Sequence, residues 1–395
     1  MLLHAYYLRD ARVLRLAECL AEAGFEVHVV SCKQSSHDTS YEIVNGVHIY
    51  RIPLIKKRGS KMRYFYEYTM MALFGTWKLT LLHLKKRFDV IHIHNMPDLL
   101  VVAGLIPKWT GSILVLDIHD PMNELFQENY RMNVSHLMIR VLKMQEFISY
   151  RLANQLLTVS IPMAENVAKK RGCTTDAVKV VHNFPDLSKF PICKDRKQWP
   201  YNKDGIVLFY SGTVTQHYRL DIAIRALAEV SKTIPNIRFQ ILGEGPHLPG
   251  VLNLAMTLGI DDRVEHFQPV KQEMVKDIMA NADIGISTHQ AGAFGDLYFS
   301  NKIIEFMTQG LPVISSRTYT IEKYIPEDTI FYFEPEQVKD LVKQILFMYN
   351  NPGIVIEKIG NSKKLLSKLN WQEEQRRFLS LYEELLNSRG EKTCK

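Results

Sequence analysis

The chain has 395 residues, 46% of them hydrophobic and 23% charged. That is too long for one ordinary core and too apolar for a disordered chain, so two globular domains are expected. The formal net charge of +7 is a small excess confined to runs in one half, and no nucleic-acid module is recognisable, so nucleic-acid binding is disfavoured.

In the first half, short apolar runs alternate with helical patterns. Asp10 can cap a helix whose Val13, Leu16, Ala17 and Leu20 share one face, with Gly24 as its stop. Val27–Val30, Val90–Ile93, Ile113–Ile118, Leu156–Val159 and Val178–Val181 read as buried strands. Strands alternating with helices imply a parallel sheet covered on both faces. Met1-Leu-Leu-His4 is short for the opening strand of such a domain, a strand that is normally central: either it is clipped or the start codon has been assigned late.

The segment Tyr64–Leu84 is aromatic and apolar, bracketed by Lys56-Lys57-Arg58 with Lys61 and Arg63, and by Lys85-Lys86-Arg87. Glu67 and Lys78 interrupt it, so it is too short and too polar to span a bilayer. Two readings stand: a helix lying on an anionic membrane surface through the basic segment 56–87, or a domain helix packed on its own sheet with solvated charged flanks. Five cysteines, Cys19, Cys32, Cys173, Cys193 and Cys394, have neither metal-ligand spacing nor a disulfide pattern, and no secretory signal is evident. A cytoplasmic protein is expected, peripheral on the inner face of the plasma membrane if the first reading of 56–87 applies.

A Pro-rich charged stretch then precedes a second series of runs: Ile206–Tyr210, Arg238–Leu242, Val264–Phe267, Ile284–Ser287, Pro312–Ser315 and Thr329–Tyr332. The expected architecture is α/β, two doubly wound Rossmann-like domains facing across a cleft. Residues 1–190 form the first, 191–205 a linker, 206–370 the second, and a C-terminal helix 371–390 crosses back to the first. In such sheets ligands sit outside the carboxyl ends of the strands, which selects the polar residues that matter.

His119, after Ile113–Ile118, occupies such an end. It suits a sugar hydroxyl or a developing charge, a reading its position at the carboxyl end favours over a core-edge histidine bonded to Asp117 or Asp120. His94 has a similar place, but Asn95, Pro97 and Asp98 read as ordinary helix-entry chemistry. In the second half, Gly212 and Thr213 follow a strand, and Arg219 leads the next helix with a fork of donors. Gly243 and Gly245 permit close approach of a flat base or ribose. Ser300 is a good N-cap, and Asn301, Lys302 and Glu305 lie within the first turns of the helix that follows. Its N-terminus and the lysine can hold a phosphate, although a capped surface helix would look the same. Gly310 suits the C′ position and Pro312 forbids continuation.

These elements line up. In the second half they are Asn183-Phe-Pro-Asp186 with Phe190, Tyr210-Ser-Gly212, Gly243-Glu-Gly-Pro246, Asp262-Arg-Val264, Ala282-Asp283, Ser300-Asn-Lys302, Glu305 and Gly310-Leu-Pro-Val313. In the first half they are Asp10-Ala-Arg-Val13, Asp89-Val-Ile-His-Ile-His94, Asp117-Ile-His119-Asp120 and Thr158-Val-Ser160. Over nearly its full length the chain resembles retaining glycosyltransferases of the GT-B fold, glycosyltransferase family 4 in particular. The resemblance implies metal-independent transfer of a hexose or N-acetylhexosamine, with retention, from a nucleotide-sugar to a hydroxyl of a glycan or lipid-linked acceptor in surface polysaccharide biosynthesis. The nucleotide-sugar would be a co-substrate, with no separate cofactor and no metal ligands. By position, Ser300, Asn301 and Lys302 would hold the diphosphate, Glu305 the ribose, and Gly212, Thr213, Gly243 and Gly245 the nucleoside side. His119, Lys302 and Arg219 would be catalytic, and Arg9, Asp10 and Arg12 would meet the acceptor.

The chain departs from the family pattern twice. The first glutamate of the family's pair falls on Leu297, with Asp296 out of register, and the basic residue after the first-turn glycine is Thr213, for which Arg219 is the expected substitute. The alternative readings are a nucleotide-sugar epimerase of the same fold and a non-catalytic partner subunit.

Overall fold

The structure, a computed structural model, describes residues 1–56, 61–130, 136–188, 192–193, 199–201, 205–270 and 272–393. Lys57 and Arg58 of the first basic run, Phe190, most of the stretch 191–205 and Cys394 lie outside the described residues. The chain divides into two units, Met1–Asn183 with Glu374–Lys395, and Phe184–Glu373.

The first unit contains strands β1 (Val27–Lys33), β2 (Tyr41–Val44), β3 (Val47–Ile55), β4 (Val90–His94), β5 (Ile113–Ile118), β6 (Gln155–Thr158) and β7 (Val178–Val180). They form two runs, β2-β3-β1 and β4-β5-β6-β7. Leu2 joins the runs, bridging in parallel to both Val30 and Ile93. Its N–H donates to His92 O at 2.9 Å, and its carbonyl accepts from His94 N at 3.0 Å. The short opening run therefore holds the central place between β1 and β4. From there the chain winds outward first on one side and then on the other, which puts the carboxyl ends of this run, β4 and β5 at the switch point.

β2 and β3 were not among the expected strands. They pair antiparallel around Asn45–Gly46, whose positive φ angles of 49° and 78° suit a tight two-residue hairpin. The helix Ala11–Glu22 forms as expected, with Asp10 Oδ1 accepting from Val13 N at 3.1 Å. The aromatic segment lies in the helix Lys61–Lys86. That helix buries Met71, Leu79 and Leu82 in the core of this unit, yet leaves Phe65, Leu73 and Trp77 exposed. Among the described residues no helix is long and apolar enough to cross a membrane. The last helix, Trp371–Thr393, contributes to this unit from Glu374 onward: Glu374 accepts from His182 N at 2.8 Å, and Tyr382 Oη lies 2.7 Å from His92 Nδ1.

The second unit is one parallel sheet of β8 (Val207–Ser211), β9 (Arg238–Leu242), β10 (Val264–Phe267), β11 (Ile284–Ser287), β12 (Val313–Ser316) and β13 (Phe331–Phe333), in the order β10-β9-β8-β11-β12-β13. The winding reverses between β8 and β11, so this unit's ligand position lies beyond their carboxyl ends. Trp199 and Tyr201, expected in a linker, are built into this unit. Trp199 Nε1 donates to Asp283 O at 3.0 Å and Tyr201 N to Asp283 Oδ1 at 2.6 Å, while Asp283 Oδ2 accepts from Val207 N at 2.9 Å. A fully buried carboxylate thus ties the incoming chain to the start of β8.

Gly285 sits in β11 with the ring of Phe306 against its Cα. A methyl group there would lie 2.3 Å from a Phe306 ring carbon, and Phe306 is fully buried. Gly285→Ala is expected to destabilise this unit by about 1–3 kcal/mol, lowering its urea midpoint with little change in slope. An unchanged midpoint would mean that the ring moves aside freely.

Candidate functional site

Beyond β8 and β9 the chain continues as two loops zipped together by backbone bonds. Gly212 N donates to Leu242 O at 2.9 Å, Val214 N to Glu244 O at 2.9 Å, and His247 N to Val214 O at 3.1 Å. A Cβ on Gly243 would stand 2.0 Å from Gly212 O, and one on Gly245 2.2 Å from Val214 O. These two glycines therefore serve the approach of loop to loop. Their missing side chains are accounted for by this loop-to-loop approach, whatever the nucleoside side requires.

The loops border a cavity of about 450 Å³ lined by Gly212, Thr213, Gly243, Glu244, Val270 and Glu305, among others. Four of the residues expected to hold a nucleotide, Gly212, Thr213, Gly243 and Glu305, meet on its wall. Gly245, Ser300, Asn301 and Lys302 are not part of that lining.

Glu305 belongs to the helix Asn301–Thr308. Ser300 is its N-cap residue, but no side chain caps the first turn. The expected hydroxyl cap is absent, and the Ser300 hydroxyl accepts from Ser287 Oγ of β11 at 3.3 Å instead. Ile303 N turns back to Ser300 O at 3.1 Å, so the Asn301 and Lys302 N–H groups are the first-turn donors that could meet an anion. Gly310 ends the helix with φ +68°. Its N–H donates to Met307 O at 3.0 Å and Leu311 N to Phe306 O at 2.9 Å, the Schellman arrangement.

Lys302 is buried at 8% exposure. Its ammonium lies 3.9 Å from the Tyr218 ring centroid and 4.6 Å from that of Tyr210, and Nζ donates to Tyr210 Oη at 3.5 Å. It forms no ion pair among the described residues. Burial pushes its pKa down to about 7 against the opposing pull of Glu305. Gly212 is its neighbour: a Cβ there would contact Lys302 Cε at 3.5 Å, and φ is +127°. Burial, and then the Lys302 charge, also hold His217 down at about 4 and His289 well below the usual imidazole value. Both imidazoles are neutral at physiological pH, leaving the lysine as the cation of this pocket. Tyr218 Oη and Tyr298 Oη, 3.2 Å apart, complete an aromatic wall.

Arg219 does not supply a second cation here. Its Nε and Nη2 donate to Asp221 at 3.0 Å each, and Nη1 pairs with Glu336 at 2.7 Å. Its backbone is left-handed, φ +44°, and all three guanidinium nitrogens face carboxylates. With its donors so engaged, the geometry lends no support to its expected catalytic place or to its expected compensation for Thr213. Asp296 likewise does not stand in for the glutamate at Leu297. Its carboxylate accepts from Gly292 N and Tyr319 N, each at 3.1 Å, and so fastens its own loop.

In the first unit the centre is Asp117, fully buried at the end of β5. Arg12 grips it with Nη2 at 2.9 Å from Oδ1 and Nε at 3.2 Å from Oδ2, and donates Nη1 to Val181 O at 2.8 Å. His119 Nε2 lies 2.9 Å and His94 Nδ1 3.2 Å from Asp117 Oδ2. Burial alone would raise this carboxyl. Arg12 and His119 beside it hold it well below the usual carboxylate range. Burial also lowers the pKa values of His92 and His94.

His119 thus makes the bond to Asp117 that a core-edge histidine would make, yet keeps 18% of its side chain exposed. Arg12 keeps 6% and both of its donor edges are spent, which corrects its place among acceptor-binding residues. Asp10 caps a helix and Arg9 is exposed. Ligand atoms of His92, His94 and Asp117 lie within 4.8 Å of one another, but any cation there would face the Arg12 guanidinium across the same carboxylate.

Sequence reasoning overlooked Tyr218 and His217, and met Tyr210 and His289 only within longer stretches, without a role of their own. Their signal is weak because each is an ordinary aromatic or polar residue, and only the fold gathers them around one lysine. The run Gln216-His217-Tyr218 just before Arg219 was the readable clue.

Comparison with known proteins agrees with this architecture. Residues 192–365 match the family described as "Glycosyl transferases group 1" and residues 11–189 match "Glycosyltransferase Family 4". The chain is 20% identical over 340 residues to a "Phosphatidylinositol N-acetylglucosaminyltransferase GPI3 subunit" of Saccharomyces cerevisiae, covering 85% of this chain and 70% of that one. It is also 22% identical to a "Chitobiosyldiphosphodolichol beta-mannosyltransferase" of Candida albicans, over 91% of this chain and 82% of that one. Among solved structures, Anabaena HepE in complex with UDP-glucose superposes with a TM-score of 0.70 at 14% identity, over 97% of this chain and 98% of that one. The chain belongs to the group 1 glycosyltransferases of family 4, enzymes of the GT-B fold that use a nucleotide-sugar donor.

Proposed function

We propose that this glycosyltransferase transfers a hexose or N-acetylhexosamine from a UDP-sugar, with retention and without a metal, to a lipid-linked acceptor in surface glycan assembly. The observation that carries the reading is the buried Lys302 ammonium, unpaired by any carboxylate among the described residues, beside a free helix N-terminus and the cavity that Glu305 lines. Diphosphate oxygens supply the counter-charge this lysine lacks, and the first-turn N–H groups add donors. Glu305 accepts from ribose hydroxyls.

The bond from the anomeric carbon to the diphosphate breaks as the acceptor oxygen attacks the same face. The acceptor's proton leaves on a diphosphate oxygen. The protein then has to position both substrates and to stabilise the charge on the leaving group, the task given to Lys302 and Ser300-Asn301. His119, at the end of β5, is assigned to the donor sugar on the family resemblance and on its partial exposure above a fixed Asp117. The UDP assignment draws on the UDP-glucose complex of the structural relative, and the lipid-linked acceptor on the names of the sequence relatives.

A second part of the reading concerns the acceptor's setting. The exposed faces of Lys61–Lys86 and Leu137–Leu152 carry Phe65, Leu73, Trp77, Met144 and Phe147. The first helix's one carboxylate, Glu67, is buried and accepts from Arg63 at 2.6 Å. The second's, Glu146, is buried against Lys170 at 3.0 Å. What remains exposed is apolar or basic, including Lys85, Arg140, Lys143 and Arg151, the chemistry that favours an anionic bilayer surface.

Lys302→Ala is expected to weaken UDP binding by about tenfold or more, as befits a charge-assisted contact, in calorimetric titration of the folded variant; unchanged affinity removes the diphosphate assignment.

The pH dependence has a definite sign. Bound diphosphate favours the charged lysine, so its pKa rises above about 7 on binding. UDP affinity should then fall by up to about tenfold per unit as pH rises above neutrality, a range in which the phosphate's own ionisation is complete. In the unliganded protein the lowered pKa costs stability below about 7, and that cost fades as pH rises towards the ordinary 10.5. A flat UDP affinity across this range would show that Lys302 does not meet the nucleotide.

Flotation with vesicles should recover the protein with phosphatidylglycerol membranes and not with pure phosphatidylcholine, and Arg140→Glu with Lys143→Glu should abolish it. Equal recovery with both lipids would defeat the membrane part alone.

A further inference from the structure

Asn95 and Asp98 follow β4, and their side chains do something other than start a helix. The segment Asp98–Gly104 has Pro97 as its N-cap residue and receives no side-chain cap. Asn95 N donates to Asp117 O at 2.9 Å, extending the pairing of β4 and β5 by one residue. The Asn95 side chain then clamps residues 119 and 120, just past the end of β5. Its Oδ1 accepts from His119 N at 2.8 Å and its Nδ2 donates to Asp120 O at 2.7 Å. The second Nδ2 proton goes to Asp98 Oδ1 at 2.9 Å.

Asp98 is 1% exposed and its Oδ2 has no hydrogen-bond partner among the described residues. Burying a carboxylate this way is costly. Its one hydrogen bond among the described residues is to Asn95. That bond fixes which way the amide points: a flipped amide would set Nδ2 against the His119 N–H and its oxygen against the Asp98 carboxylate. Lys170 supports Asp98 electrostatically from within the same buried group while pairing with Glu124 at 2.7 Å.

We propose that Asn95 and Asp98 are positioning residues for His119: Asp98 orients the Asn95 amide, and Asn95 holds the backbone of residues 119 and 120 so that the imidazole meets the donor sugar at a fixed place. This rests on the assignment of His119 to the sugar. Asp117 fixes the ring from one side and Asn95 fixes the main chain that carries it.

The test is a double-mutant cycle on the full chain, reading UDP release from UDP-glucose and UDP-N-acetylglucosamine in the presence of membrane extract, with folding checked by thermal melting. Asn95→Ala should lower kcat by about ten- to a hundredfold, the cost of a misplaced group, while the donor KM changes far less. The Asn95→Ala, His119→Ala double variant should be no slower than His119→Ala alone, because a residue that acts through another is not additive with it. Additive losses would overturn the proposal.

Asp98→Asn keeps an acceptor for Asn95 and should stay near the parent rate, whereas Asp98→Leu should fall to the level of Asn95→Ala; equal rates for the two Asp98 variants would also overturn it. If His119→Ala itself leaves kcat intact, the sugar assignment fails and the positioning role with it. If His119→Ala is slow but Asn95→Ala is not, the positioning role alone fails.

Discussion

An ammonium group buried between two tyrosine rings, without a carboxylate to pair with among the described residues, is the condition on which the second unit's chemistry depends. Water is the better host for such a charge, and the loss shows in Lys302's lowered pKa. The faces of Tyr210 and Tyr218 return part of that loss through their ring quadrupoles. Everything adjoining the lysine respects the same constraint. The nearby histidines stay neutral, Arg219 is drawn off by Asp221 and Glu336, and Gly212 turns beside the lysine with a φ of +127°. In the proposed reading an anion meets this charge, and the N-terminus of Asn301–Thr308 favours the same class of ligand.

The first unit follows the opposite logic. Asp117 is just as buried, yet its charge is met on every side by Arg12, His94 and His119. Such a group is already balanced and asks for no ligand. Its effect is geometric: it fixes imidazole orientations and holds the first helix to the end of β5. A buried and fully paired carboxylate gives rigidity, whereas a buried and unpaired cation gives affinity. In the proposed reading, sugar positioning falls to the former kind of site and charge stabilisation to the latter.

What could be read from the sequence divides along the same line between local and tertiary chemistry. The Gly310-Leu311 helix stop and the Asp10 cap rest on interactions within a few residues, the parallel strands show in short apolar runs alternating with helical patterns, and all of them form. The Asn45–Gly46 hairpin had an equally local signal, alternating apolar residues around an Asn-Gly turn, and could have been read. The Ser300 cap does not form, and the hydroxyl bonds instead to Ser287, distant in sequence. Gly243 and Gly245 were rightly singled out as close-approach glycines, but what approaches is the neighbouring loop, which no spacing rule reveals. Arg12 and Arg219 show the same limit. A long cationic side chain can reach many partners, and burial decides which carboxylate takes it.

The two departures from the family pattern bear directly on the lysine. With Thr213 where a basic residue often stands and Leu297 where a glutamate often stands, the pocket loses one fixed charge of each sign. The carboxylate that would favour the charged form of Lys302 is therefore absent, as is the second cation that would oppose it, and the lysine's ionisation responds to whether an anion is present. A fixed arginine would attract phosphate at any physiological pH and would also hold the product diphosphate after transfer. In the proposed reading, a lysine whose pKa is lowered to about 7 by burial binds the diphosphate strongly only while the anion favours its charged form, and the burial that disfavours charge in the free pocket limits how tightly the spent nucleotide is kept.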